Sequence, residues 1–174
     1  MASDGHPARR VAESQTQLIH WMSLLDANSA GFIHGGTVMK LCDEAAGAAA
    51  LKHSRSRVVT AGVDRMAFLT PIHVGELVTF SASVNAAWRT SMEIGVRVEA
   101  ENPLTGEHRH TNSAYLTMVA IDDDGHPVEV PGLVTETEHE RAREAEAQVR
   151  RRNRLREREE IIEQRRAESA SDRG

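Results

Sequence analysis

Apolar residues change their period along this chain, and each change marks an element. Between residues 36 and 53, Val38, Met39, Leu41, Cys42, Ala45, Ala46, Ala49 and Ala50 recur at helical spacing. They cover more than one stripe, so the spacing predicts a helix buried on several sides. Elsewhere the period is two. Met92, Ile94, Val96 and Val98 alternate with Glu93, Gly95, Arg97 and Glu99, the pattern of a half-buried strand with one wet face. Residues 77–84 put Val78, Phe80, Ala82 and Val84 on one face and Leu77, Thr79, Ser81 and Ser83 on the other. Residues 17–25, 58–63 and 114–121 complete a set of five strands. Turn formers separate them: Thr70-Pro71, Val74-Gly75, Arg89-Thr90, Asn102-Pro103 with Thr105-Gly106, and Asp122 to Gly125. One strand, one helix and then four strands predict an α+β fold, an antiparallel sheet wrapped around a central helix.

The two ends read differently. Residues 1–13 are polar and predict a disordered leader ahead of a single domain over 14–133. Residues 134–174 are dominated by Glu and Arg at i, i+3 and i+4 spacing, without Pro or Gly until Gly174. This extension predicts a charged helix with a frayed end, its first part leaning on the domain. Val149, Leu155, Ile161 and Ile162 are too few for a coiled-coil seam. The segment after Val149 therefore predicts no share in the core.

Composition narrows the class. A chain of 174 residues is one domain with an appendage, and 3% aromatics leave the core to Ala, Val, Leu, Ile and Met. A net charge of −5 argues against a nucleic-acid binder. The run Arg150-Arg151-Arg152-Asn153-Arg154 is set among acids and lacks aromatics. No run of eighteen apolar residues predicts a membrane span, and the N-terminal residues lack a signal-peptide pattern. The single cysteine, Cys42, excludes an intrachain disulfide and fits a reducing compartment, so a cytoplasmic location is expected.

The candidate chemistry lies in residues 28–47. A polar loop ends in Gly35-Gly36 and enters the small-residue helix, where Asp43 sits among Leu41, Cys42, Ala45 and Ala46. A carboxylate in such surroundings is a candidate base or nucleophile. Glu44 points about 100° away around the helix and cannot share that task. The Gly pair lets a ligand approach the helix N-terminus. Asn28 stands among turn formers and reads either as a turn residue or as a ligand holder. The nine histidines show no metal-ligand spacing, so no metal is expected. Cys42 lacks a nucleophile's partners, and no Gly-Xaa-Ser-Xaa-Gly elbow occurs.

These residues resemble the hotdog-fold acyl-CoA thioesterases, specifically the branch of the cytosolic (brain-type) acyl-CoA hydrolase and its small bacterial relatives. The matching pieces are Asn28 to Gly31, His34-Gly35-Gly36, Met39-Lys40-Leu41, and Asp43-Glu44-Ala45-Ala46-Gly47. Further on come Val59-Thr60-Ala61 with Val63-Asp64 and Phe68, Pro71-Ile72 with Val74-Gly75, and Thr90-Ser91-Met92-Glu93-Ile94. Val130-Pro131 and the stretch from Leu133 to Glu138 match as well. The resemblance spans residues 14–145. It implies a hotdog fold and hydrolysis of acyl-CoA thioesters to a fatty acid and CoA, with no cofactor. It implies a homodimer whose sheets join and whose active sites are shared, assembled further into a trimer of dimers. Asp43 would be the general base or nucleophile, and Asn28 would hold the water or the thioester oxygen. Backbone N–H groups at Gly35 and Gly36 would meet the oxyanion, with His34 positioning substrate. Arg57, Arg65 and Arg89 would meet the CoA phosphates. The alternative is a non-catalytic acyl-CoA-binding sensor or regulatory module on the same fold.

Overall fold

The computed structural model describes residues 7–171, with side chains described through residue 166. Its elements are β1 (Arg9–Arg10), α1 (Val11–Ser14), β2 (Thr16–Trp21), a 3-10 turn (Leu24–Asp26), α2 (Gly35–Ser54) and β3 (Arg57–Val63). Then follow β4 (Leu77–Ala87), β5 (Ser91–Glu101), β6 (His108–Ile121), β7 (Leu133–Val134) and α3 (Glu138–Ser171). Five strands form one antiparallel sheet in the order β2-β4-β5-β6-β3. The sheet curls around α2, the arrangement predicted from the sequence.

The packing follows from residue size. Ala45, Ala46, Ala49 and Ala50 on α2 are fully buried in one cluster with Val78, Phe80, Ile94, Leu116 and Met118 of the sheet. Side chains this small let the helix lie close to the strands, so a core nearly without aromatics still closes. β3 hydrogen-bonds only to β6, and among the described residues no strand covers its other edge. Val59 and Val63 on that edge strand are each nearly half exposed.

The structure corrects the reading of both ends. Residues 1–6 of the expected disordered leader lie outside the described residues, but the rest of it is built into the fold. Arg9–Arg10 pairs in parallel with Leu133–Val134, and Arg9 N–H donates to the Gly132 carbonyl at 2.9 Å. Val11 and Ser14 are buried, and the Ser14 hydroxyl accepts the Val84 N–H at 3.0 Å, beside a β4 bulge. The polar sequence hides this because the segment is held by hydrogen bonds more than by apolar area.

At the other end, α3 lies across the outer face of the sheet, opposite α2. Glu93, expected on the wet face of β5, has no exposed surface. Arg150 of α3 donates to it at 2.7 Å and 3.1 Å. Burial alone would lower the Arg150 pKa, but the Glu93 carboxylate outweighs it and holds the guanidinium above its ordinary value. Arg150 also lies 3.7 Å over the Tyr115 ring, and Arg151 lies 4.7 Å over Trp88. Arg154 reaches Asp64 at 2.6 Å. The segment after Val149 is thus attached by charge, which an apolar count does not register.

Candidate active site

The loop before α2 is built by its own side chains. Asn28 Oδ1 accepts the backbone N–H groups of Ala30 at 2.9 Å and Phe32 at 3.2 Å. These two donors fix the orientation of the amide. Gly31 takes φ of +84°, which this tight loop needs and side chains disfavour. Asn28 is therefore a turn builder whose oxygen is committed, and what it can offer a ligand is the pair of N–H donors on Nδ2.

His34 caps α2. Its Nδ1 accepts the Gly36 N–H at 2.9 Å. This changes the expected roles of both residues: the Gly36 N–H is spent inside the helix cap, and His34 holds the cap. The Gly35 N–H, unlike that of Gly36, is not taken up by the His34 side chain. A Cβ at Gly35 would stand 3.3 Å from the Phe68 ring, so glycine lets that aromatic close over the helix start.

Asp43 lies two turns into α2 and is half-buried. Its Oδ1 accepts the Thr60 hydroxyl of β3 at 2.5 Å. Glu44 is exposed and paired with Lys40 at 3.6 Å. Between the two acids, only Asp43 is held by a neighbouring element in a partly desolvated place. Cys42 beside it is 1% exposed; burial first, and then the Asp43 charge, push its thiol up to about 12. It remains a protonated core residue.

Thr60 is the functional candidate that the residue patterns did not single out. It stood only inside the matching stretch Val59-Thr60-Ala61. Its contact joins a helix and a strand seventeen residues apart, and no local spacing marks such a pair.

The three arginines expected at the CoA phosphates do not form one cluster: Arg57 and Arg89 stand at the same end of the sheet, and Arg65 follows the far end of β3. Arg57 faces the exposed Asp123 at 3.6 Å, and Arg89 is exposed at the β4–β5 turn. Arg65 lies up to roughly 26 Å of extended chain from Arg57. It lines a cleft of about 580 Å³ with Tyr115, Arg150 and Arg154. Among the described residues one group has metal-ligand reach, Asp122, Asp124 and His126. It is an exposed turn whose Asp122 carboxylate accepts the backbone N–H groups of Asp124 and His126.

A small-residue central helix, a curled sheet and a threonine-held carboxylate define a class. Residues 30–107 match the family described as the thioesterase superfamily. The Staphylococcus aureus acyl-CoA hydrolase, solved with butyryl coenzyme A, coenzyme A and coenzyme A disulfide, superposes with a TM-score of 0.82 at 34% identity, over 90% of this chain and 98% of that one. Structures of that enzyme include its Asn28Ala, Asp43Ala and Thr60Ala variants, in its own numbering. A hexameric acyl-CoA thioesterase solved without ligand gives a TM-score of 0.84 at 38% identity, over 87% of this chain and 97% of that one. The chain belongs to the thioesterase superfamily and has its hotdog fold. Within it, the rat cytosolic acyl coenzyme A thioester hydrolase is 39% identical over 130 residues, 74% of this chain. The chain spans about a third of that relative, since the match covers 34% of it.

Proposed function

We propose that this protein hydrolyses acyl-CoA thioesters to the free acid and CoA. The observation that carries the reading is the half-buried Asp43 carboxylate, fixed by Thr60 at the open edge of the sheet. As a general base, Asp43 takes a proton from water while the water oxygen bonds to the thioester carbon. The C–S bond then breaks, and the departing CoA sulfur takes the proton up. As a nucleophile, the same carboxylate would displace CoA as its thiolate, which takes a proton from water, and form a mixed anhydride that a second water cleaves to the free acid. The Gly35 N–H, at the positive end of α2, and the Asn28 Nδ2 donors meet the developing oxyanion. Support comes from the S. aureus enzyme, whose substituted residues have the same types and numbers as Asn28, Asp43 and Thr60 here.

The working form is a homodimer joined along the β3 edges, assembled as a trimer of dimers. Asp43 lies eight residues beyond Gly35, about 12 Å along the helix, whereas Asn28 is tied into the loop before it. No bond brings the two together within the described protomer, which favours a site made from one protomer's loop and its partner's carboxylate. Dimer formation would also bring arginines of two chains together, so Arg57, Arg65 and Arg89 remain candidates for the CoA phosphates. No helix of the described residues is long and apolar enough to cross a membrane. We place the enzyme in the cytoplasm, working without a cofactor, as a relative named cytosolic suggests.

Thiol release from a panel of acyl-CoAs tests the reading. Free CoA should appear at a rate that Asp43→Asn abolishes. Tight binding with no turnover would establish the sensor alternative instead.

A further inference from the structure

α3 crosses the outer face of the sheet strand by strand. Arg143 reaches Ser83 of β4 at 3.4 Å, Arg150 binds Glu93 of β5 and lies over Tyr115 of β6, and Arg154 binds Asp64 at the end of β3. From Arg143 to Arg154 the helix advances about 16 Å. The order β4-β5-β6-β3 spans three strand spacings, about 14 Å. The helix therefore runs nearly at right angles to the strands, and at Arg154 it reaches the unpaired edge.

α3 continues past that edge to Ser171. Between Leu155 and Ile161 the one ion pair among the described residues is internal to the helix, Arg156 with Glu160 at 3.6 Å. Ile161 stands seven residues beyond Arg154, on the helix face that lies against the sheet further back. It is nevertheless 41% exposed. Charge is segregated as well. Residues 150–156 hold five arginines and no acid, and residues 157–163 hold four glutamates and one arginine. Each chain thus has a basic stretch at its own sheet edge and an acidic stretch beyond it.

We propose that residues 157–161 of α3 dock on the outer face of a second copy's sheet, with Ile161 over the pair Val59 and Val119 of that copy. The inference rests on the edge-joined homodimer and adds to it a second contact, made by the helix. Ile161 lies about 10 Å beyond Arg154, two strand spacings. In a dimer joined β3 to β3, the first spacing is the second copy's β3 and the next is its β6. Val59 and Val119 are register partners across those two strands. Thr60 points inward to Asp43, so its neighbour Val59 points outward, and it is 45% exposed. Antiparallel joining brings the Asp64 end of one β3 to the half of the other that holds Val59. The two-fold axis also sets the two α3 helices in opposite directions. The acidic stretch of each then enters the side of the seam where the other's arginines are anchored, an arrangement complementary in charge.

Sedimentation on dilution compares the full chain with a chain ending after Arg154 and with full-length Ile161→Glu. Both variants keep Arg150 and Arg154 on their own sheet. The dimer dissociation constant should rise about tenfold or more in each. Added NaCl should weaken the full-length dimer more than the shortened one. In a mixture of Ile161→Cys chains with mass-tagged Val59→Cys chains, a short thiol cross-linker should join one chain of each kind. Hydrogen exchange of the β3 amides that point away from β6 checks the dimer itself. If those amides are protected, an unchanged dissociation constant in both variants, or no cross-link between the two kinds of chain, overturns the inference and leaves the edge-joined dimer standing. If they exchange freely in the full chain, the edge-joined dimer fails and the inference falls with it.

Discussion

Arg150 brings its guanidinium to 2.7 Å from Oε1 of Glu93, a side chain with no exposed surface. One partner belongs to an outer helix and the other to a central strand, 57 residues apart in sequence. Removing that cation leaves the buried carboxylate with only two long contacts, Arg154 at 3.5 Å and the Asn85 amide at 3.4 Å. Arg150→Ala should cost about 3–5 kcal/mol, read from urea unfolding. The double substitution Glu93→Leu with Arg150→Met should recover most of that loss, because it leaves no charge behind.

Truncation separates the two halves of α3. Ending the chain after Val149 removes both Arg150 and Arg154 and should lower Tm by roughly 6 °C or more. Ending it after Ile161 keeps these contacts and should leave Tm close to that of the full chain. Equal melting of the two products would return the whole helix to the solvated role its composition suggests.

At the candidate acid, charge and position come apart experimentally. Asp43→Asn should lower kcat at least about a hundredfold. Thr60→Val keeps the carboxylate but frees it to rotate, and should cost about ten- to hundredfold. Glu44→Gln should stay within about twofold, since that side chain is exposed and bound only to Lys40. A larger loss from Glu44→Gln than from Asp43→Asn would reverse the assignment of helix faces.

Mixing two inactive proteins tests the shared site. Under subunit exchange, Asn28→Ala and Asp43→Ala dimers form heterodimers with one doubly altered site and one intact site. Activity should recover to about a quarter of wild type in a statistical mixture, as a two-fold symmetric dimer requires. With exchange verified by mass-tagged chains, no recovery would place both residues in one protomer.

His53 sets the direction of the pH response. Its ring is fully buried, with Nε2 2.9 Å from the Pro131 carbonyl, and burial pulls its pKa below the ordinary 6.5. Protonation therefore favours the unfolded chain. The stabilising contribution is present above about pH 6.5 and is lost as pH falls through the unfolded value toward the folded one. Tm should drop between about pH 7 and 5, and His53→Gln should flatten that slope. Asp26 and Glu140, whose carboxyls are lowered chiefly by backbone N–H groups, give a separate loss at more acidic pH.

The periodic parts of the sequence were readable because burial there depends on neighbours along one element. The predicted helix over 36–53 is α2 at Gly35–Ser54, and the alternation from Met92 to Val98 lies inside β5. Polar stretches were harder. β6 begins at His108, six residues before the apolar alternation, because residues 108–113 pair with β5 through backbone while their side chains are mainly polar. Asp43 stood out as an acid among small apolar residues, whereas Thr60 became a candidate only when folding placed it beside that acid. Glu93 was misread for the same reason: its cover arrives from a distant helix, which no window around β5 contains.

Among the described residues no strand pairs with the far side of the strand that carries Thr60. β6 already places the Thr60 hydroxyl on Asp43 in the protomer, and a partner seated on that edge would hold the strand, and with it the acid, more firmly. Catalytic rate would then be a gauge of assembly: on dilution, turnover per chain should decline before any loss of secondary structure, because what separates first is the join that keeps the carboxylate aimed.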